Sequence, residues 1–395
     1  MYEMKKILTV SLFFALALNT LTAQNQTFDY AQQDFSQALQ LSKTQQKPVL
    51  LFLYASWCSH CNKMKKEVFS DSGITAFVAK NFVPIAIDAE KGAGVSLKQK
   101  YSVSSFPAFI YIDQNNELLY ALTGEFTAEK FIEESKNALD PAKQLPQLEK
   151  TFLKDPTHAA ACYAYILALK KGPGNATIPA QKYFSTLSEK QLVSDINWRI
   201  FANAITDINS REFQYVLNHQ KEFAAVSSPF RVEKKMVHTV SELLRPFTET
   251  LDTTAYFKQR SIAKTIQLRK TDSLIFTYDL LLAERTKNWK TYQKTASESA
   301  EAYYWQQPEK LKEIAAILEK NVTENVGLIY GLKVAERAVA IKPSADGYLL
   351  VARLLQKMNQ EDKAVDFGQK SRSYSQSLGF DTKDADEFLN QIQNK

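Results

Sequence analysis

Cysteine is scarce in this 395-residue chain: only Cys58, Cys61 and Cys162 occur. Three thiols cannot staple a small secreted scaffold, so the fold must rest on packed apolar cores. Metal-ligand spacing is missing too. A structural zinc site takes four ligands, and neither a second cysteine pair nor an H-x₃₋₅-H pair accompanies Cys58 and Cys61. Covalent haem attachment needs a histidine directly after the second cysteine, where this chain has Asn62. There is no Gly-rich phosphate loop, nucleophile elbow or H-E-x-x-H. We therefore expect no metal and no cofactor. Dense basic blocks are also lacking, and a net charge of +6 is too small an excess to suggest nucleic acid as a partner.

What the chain does have is enough apolar residue to build cores, at 45% of the sequence with 12% aromatic, and a length that suggests two or three domains. The N-terminus reads as a secretory signal peptide over residues 1–23. Lys5 and Lys6 precede a twelve-residue apolar run at 7–18, and a short polar stretch leads to a cut near Ala23/Gln24. Leu21 and Glu3 depart from the usual leader pattern, and an uncleaved anchor is the alternative. The apolar run is short for a bilayer span, and no run of eighteen apolar residues follows it. The expectation is a soluble mature chain of net charge near +5, after loss of Lys5, Lys6 and Glu3, located in the periplasm or otherwise exported. No stable membrane insertion is expected after cleavage.

Hydropathy patterning gives β-α-β-α-β-β-α up to about residue 140. A helix is expected at 30–46, a strand buried on both faces at 49–54, and a helix opening at the cysteine pair. Strands follow at 82–87, 107–112 and 117–122, with a short helix at 95–101 and a last helix from 127. Pro141 and Pro146 mark a domain boundary, beyond which the pattern is helical: 148–154, 159–171, 183–194, 197–208 and on to 391.

The chemistry concentrates in Trp57-Cys58-Ser59-His60-Cys61, which follows a buried strand and opens a helix. Two cysteines on a first helical turn can close a disulfide with little backbone movement. Unpaired N–H groups and the positive end of the helix favour a thiolate at Cys58, and the thiolate is the species that attacks a disulfide. Cys61, one turn inside, can then attack Cys58 and release the partner. His60 between them would stabilise the Cys58 thiolate if protonated, raising the reduction potential; a solvent-facing bystander is the bland alternative.

Strand, Trp-Cys-x-x-Cys, helix, strand, helix and then Phe106-Pro107 before the next strand resemble thioredoxin-like proteins over a little under a third of the mature chain. Lys47 to Asp71, with Glu67-Val68-Phe69-Ser70-Asp71 after the cysteines, looks most like the exported branch, which also resembles the C-terminal domain of membrane thiol transporters. The resemblance implies an α/β thioredoxin fold, a mixed sheet flanked by helices, over 24–142. It implies a Cys58–Cys61 disulfide, with Cys58 attacking, Cys61 resolving and Trp57 shielding, supported by Ser59 and His60. It also implies a cis-proline at Pro107 which, with Phe106, contacts an extended substrate strand. Protein thiols and disulfides would be the substrates, with an unidentified redox partner. One departure stands out: thioredoxin has a buried acid six residues before the first cysteine, and this chain has Phe52.

The all-α domain at 143–395 resembles tetratricopeptide (TPR) hairpins near 326–378, over one and a half to two units, with an irregular bundle as the alternative. Its aromatics, among them Trp198, Phe201, Trp289, Tyr292, Tyr303, Tyr304 and Trp305, suit a helix core better than a peptide groove. Cys162, among alanines and four residues from His158, reads as a small core residue. The functional expectation is an extracytoplasmic thiol-disulfide oxidoreductase. Its alternative is a helical client-binding scaffold with a thioredoxin-like docking or redox-sensing module.

Overall fold

The computed structural model describes Phe28 and residues 34–393. The signal peptide expected at 1–23 and the start of the helix expected at 30 lie outside the described residues. By contacts the chain divides into two compact units, Met1–Ser227 and Ser228–Lys395.

The first unit is built on strand β1 (Val49–Tyr54), all of whose residues are buried. An uninterrupted apolar run of this length suits a strand covered on both faces. β1 runs parallel to β2 (Val83–Asp88) and antiparallel to β3 (Ala108–Ile112), which pairs antiparallel with β4 (Leu118–Thr123). The strand order is β2-β1-β3-β4. Alternation then sorts the side chains. Leu50, Phe52, Tyr54, Phe109 and Tyr111 share one core with Cys58, Cys61, Met64, Phe69 and Phe131. Val49, Leu51, Leu53, Ile85, Ile87 and Ile110 share the other with Ala38 and Leu97. The first core is covered by α2 (Ser59–Lys63, continuing as a π-helical turn through Val68), α3 (Ser72–Asn81) and α5 (Ala128–Leu139). The second is covered by α1 (Phe35–Gln45) and α4 (Ala93–Lys100). The helix starts are chemically marked: Asp34, Asp71 and Thr127 accept from the first-turn N–H groups of α1, α3 and α5.

Six further helices complete this unit: Leu145–Lys154, Ala159–Lys171, Thr177–Phe184, Asp195–Ala204, Arg211–Asn218 and Gln220–Val226. The change from strands to helices falls at the prolines, but the compact unit runs on to Ser227 because helices 145–154 and 159–171 pack on β4. Gly172, which ends the second of them, comes so close that a Cβ there would lie 2.3 Å from Ala121 Cβ. A helix expected at 183–194 is absent. The chain leaves the helix after Phe184, and the Thr186 hydroxyl donates to the Tyr183 carbonyl. Ser188 and Gln191 close a capping box around a short 3₁₀ turn, and Ser194 caps the following helix. Serine and threonine here bond locally instead of supporting a helix interior. Trp198 and Phe201 are buried, as core aromatics.

A polar cluster ties helix 159–171 to the sheet. Lys171 Nζ donates to Glu134 Oε2 at 2.8 Å and to Tyr120 Oη at 2.6 Å, and the Tyr120 hydroxyl donates to Glu134 Oε2 at 2.6 Å. Burial pushes the Glu134 carboxyl up, but the bonds from Lys171, Tyr120 and Asn137 outweigh it and bring the pKa down from 4.5 to about 2. A carboxyl whose folded pKa is depressed lends stability that is full above 4.5 and lost as pH falls toward 2. Urea unfolding of the wild type should therefore lose up to about 3 kcal/mol more over that window than unfolding of Glu134→Gln. Parallel pH profiles would exclude the cluster as a determinant of acid stability.

The second unit is helical among its described residues. Its helices are Pro229–Thr250, Thr253–Ala263, Arg269–Arg285, Trp289–Tyr304, Pro308–Asn321, Asn325–Ile341, Ala345–Lys357, Glu361–Ser377 and Lys383–Gln393. Consecutive helices pack on each other. Tyr292, Tyr304, Leu311, Leu318, Val334, Val351, Ala352 and Ala364 are buried in one core, with Trp289, Tyr303 and Trp305 packed against it. Arg260 makes a bidentate pair with Asp279, both bonds 2.6 Å. Among the described residues no helix is long and apolar enough to cross a membrane.

Candidate active site

The chain leaves β1 at Tyr54, turns through Ala55-Ser56-Trp57 and enters α2 at Cys58. Cys58 is the N-cap: its backbone is extended (φ −72°, ψ 110°) and its Sγ accepts the Cys61 N–H at 3.1 Å. The sulfur thus takes the place that a serine or aspartate oxygen takes at other helix starts. Cys58 and Cys61 are joined as a disulfide, with Cα atoms 5.3 Å apart. The two are not equally reachable. Cys58 keeps 4% of its surface accessible and Cys61 keeps none.

Around the pair, Trp57 is 70% exposed. Its indole N–H donates to Glu90 Oε2 at 2.9 Å, and its ring meets Phe106 edge-on with centroids 6.4 Å apart. The Phe106–Pro107 bond is cis. The Pro107 carbonyl accepts the Gly124 N–H at 2.9 Å, which links the proline loop to the loop after β4. Gly124 has φ +111°, a conformation that side chains disfavour. Ser59 is the first helical residue and is exposed. The exposed His60 side chain turns to that same loop: its Nδ1 lies 2.8 Å from Glu125 Oε2. Lys63 Nζ donates to the other Glu125 oxygen at 2.5 Å. These bonds, from Lys63 first and His60 second, hold the Glu125 carboxyl below its ordinary range and lift Lys63 above its own.

Phe52 is fully buried and stacks on Phe109 at 5.2 Å, so the position of thioredoxin's acid belongs to an aromatic core. Lys65 and the buried Asp88, in register with Tyr54, bring charge to that face. The Lys65 Nζ lies 3.3 Å from the Tyr54 ring centroid and 5.9 Å from that of Phe52. Burial draws the Lys65 pKa down, and Asp88 opposes it.

Trp57 meets Phe106, Phe106 packs against the core that holds Cys58 and Cys61, and His60 reaches, through Glu125, the loop bonded to Pro107. Sequence reasoning missed Glu90 and Glu125. Both come from loops remote in sequence, 33 residues from Trp57 and 65 from His60, and no local pattern pairs a loop carboxylate with a distant site. Cys162 lies apart. It is fully buried, with Sγ 3.6 Å from the Pro179 carbonyl oxygen, and burial pushes its thiol up to about 12. His158 caps its own helix, accepting the Ala161 N–H at 3.2 Å. After mild reduction, alkylation in the native state should label Cys58 and leave Cys162 unmodified until denaturant is added; early labelling of Cys162 would contradict this burial.

A four-stranded mixed sheet between helices, with a C-x-x-C disulfide at the start of a helix, defines a thioredoxin-like redox domain, and residues 35–139 match the thioredoxin-like domain family. Among individual proteins, the thiol:disulfide interchange protein DsbD of Yersinia pestis is 33% identical over 100 residues, which are 25% of this chain and 17% of DsbD. Mouse (Mus musculus) protein disulfide-isomerase A5 is 27% identical over 121 residues, 30% of this chain and 22% of the isomerase. The chain thus spans about a fifth of the length of these curated relatives. Among solved structures, the oxidised C-terminal domain of Neisseria meningitidis DsbD is 24% identical, covering 26% of this chain and 90% of that domain, with a TM-score of 0.24.

Proposed function

We propose that this protein is a thiol-disulfide oxidoreductase that acts on protein disulfides outside the cytoplasm. The observation that carries the reading is the asymmetric pair at a helix start: one sulfur narrowly accessible and accepting a helix N–H, the other sealed behind it. In the reduced form, the Cys58 thiolate attacks a client disulfide. A Cys58–client bond forms and one client thiolate leaves. Cys61, deprotonated, attacks Cys58 Sγ; the Cys58–Cys61 bond closes and the second client thiolate leaves. Two electrons pass to the client, and a separate dithiol partner must restore the reduced pair. Run in reverse, the same steps oxidise a client dithiol.

The exposed Trp57 and the half-buried Phe106 form an aromatic rim, suited to an extended client segment. The relatives' names, a thiol:disulfide interchange protein and a protein disulfide-isomerase, support this reaction class. Export rests on Lys5, Lys6 and the short apolar run at 7–18. The helical region is assigned client or partner binding, with tetratricopeptide-like hairpins near 326–378. Cys61→Ala, expressed from its full gene, should accumulate mixed disulfides at Cys58 that dithiothreitol releases, and the mature chain should begin near Gln24. Absence of such adducts, with the variant folded, would favour the helical scaffold reading.

A further inference from the structure

We propose that Glu125 is a positioning residue that sets the redox balance of the Cys58–Cys61 pair by pairing with Lys63 and holding the His60 ring. This rests on the redox reading of the pair, and it adds a control element from outside the C-x-x-C helix.

The geometry is built on both sides of Glu125. On one side the Gly124 N–H donates to the Pro107 carbonyl at 2.9 Å. On the other the Phe126 N–H points at Met64 Sδ, 3.3 Å away, on the helix that carries the cysteines. The Phe126 ring lies edge-on to Phe109, 6.0 Å between centroids, in the core beneath. The loop is therefore clamped between the proline loop and the cysteine helix, and the Glu125 carboxylate divides its two oxygens between His60 and Lys63. His60 sits between the two cysteines in sequence, and Lys63 lies on the same short helix.

The consequence follows from charge. When two glutathione thiols reduce the pair, they give up two electrons and become glutathione disulfide. The Cys58–Cys61 bond accepts the electrons, and Cys58 can remain as a thiolate while Cys61 takes a proton. Only the reduced form carries that negative charge. Cations beside Cys58 stabilise it and pull the equilibrium toward the dithiol. A carboxylate that pairs with Lys63 offsets that charge, holds the His60 ring on its other oxygen, and leaves the disulfide comparatively favoured.

The test is the glutathione equilibrium, Kox = [disulfide][GSH]²/([dithiol][GSSG]), measured by alkylation and mass spectrometry. Glu125→Gln should lower Kox by about threefold or more, and Glu125→Asp should lie between it and the wild type. The effect should narrow in high salt and be clearly smaller in a His60→Ala/Lys63→Met background, where only the carboxylate's own charge is removed. Should Glu125→Gln fail to fold, His60→Ala and Lys63→Met with Glu125 present must raise Kox. An unchanged Kox in Glu125→Gln, or an equal drop with the His60 and Lys63 side chains removed, overturns the proposal. Because Kox is a property of the pair, it is read whether or not the protein turns over a protein disulfide. Failure of insulin reduction with Kox shifted as expected would sink the enzymatic reading and leave this one standing.

Discussion

Cys58→Ser should abolish insulin reduction, lowering the rate by about three orders of magnitude or more. A serine hydroxyl is hardly ionised at neutral pH, so the helix start has no anion to present. The remaining thiol does not substitute, because Cys61 has no accessible surface in the native fold. The contrast with Cys61→Ala makes the result specific. That variant keeps the reachable sulfur and loses only the second step, so it should still attack clients and then stall as a mixed disulfide. Rates within a few-fold of the wild type in Cys58→Ser would show that the pair does not carry the chemistry and would leave the helical region as the functional part.

Phe52→Ala should be the costliest single truncation in the first unit, at about 3–5 kcal/mol. Phe52 is fully buried in the middle of β1 and touches four other rings: Phe28 at 5.6 Å, Tyr54 at 5.5 Å, Phe69 at 5.3 Å and Phe109 at 5.2 Å. The cavity left by its ring would open beneath the helix that carries both cysteines. Phe52→Asp, which places a carboxylate where thioredoxin has one, should be worse still. Rings line much of the site, and burying a carboxylate there is costly even with Lys65 Nζ 5.9 Å from the Phe52 ring centroid. The measurement is the urea midpoint of the transition of the first unit, since two compact units preclude a single two-state fit. A loss below about 1 kcal/mol for Phe52→Ala would contradict the packing described.

Much of the α/β part was legible because its strands are short, apolar and bounded by turns. The expected strand at 49–54 coincides with β1, and the neighbouring elements shift by a residue or two at their ends. The cysteine pair was legible because its chemistry depends on local spacing at a helix start. Glu90 and Glu125 were not, because their contacts depend on how loops after β2 and β4 return over the helix, which no periodicity encodes. The helical region was harder. Residues 183–194 carry apolar residues at helical spacing, yet serine and threonine side chains bond to nearby groups and break the segment. The continuation of the first unit to Ser227 was hidden because helices that dock on a sheet look, in sequence, like helices that dock on each other.

The account comes down to the sulfur at the cap of α2. A short pulse of iodoacetamide on the reduced native protein at pH 7, followed by peptide mapping, reads it directly. The label should appear on Cys58 well before Cys61, faster than on a free thiol, with Cys162 blank. Label on Cys61 first, or a Cys58 no faster than a buried thiol, would contradict it.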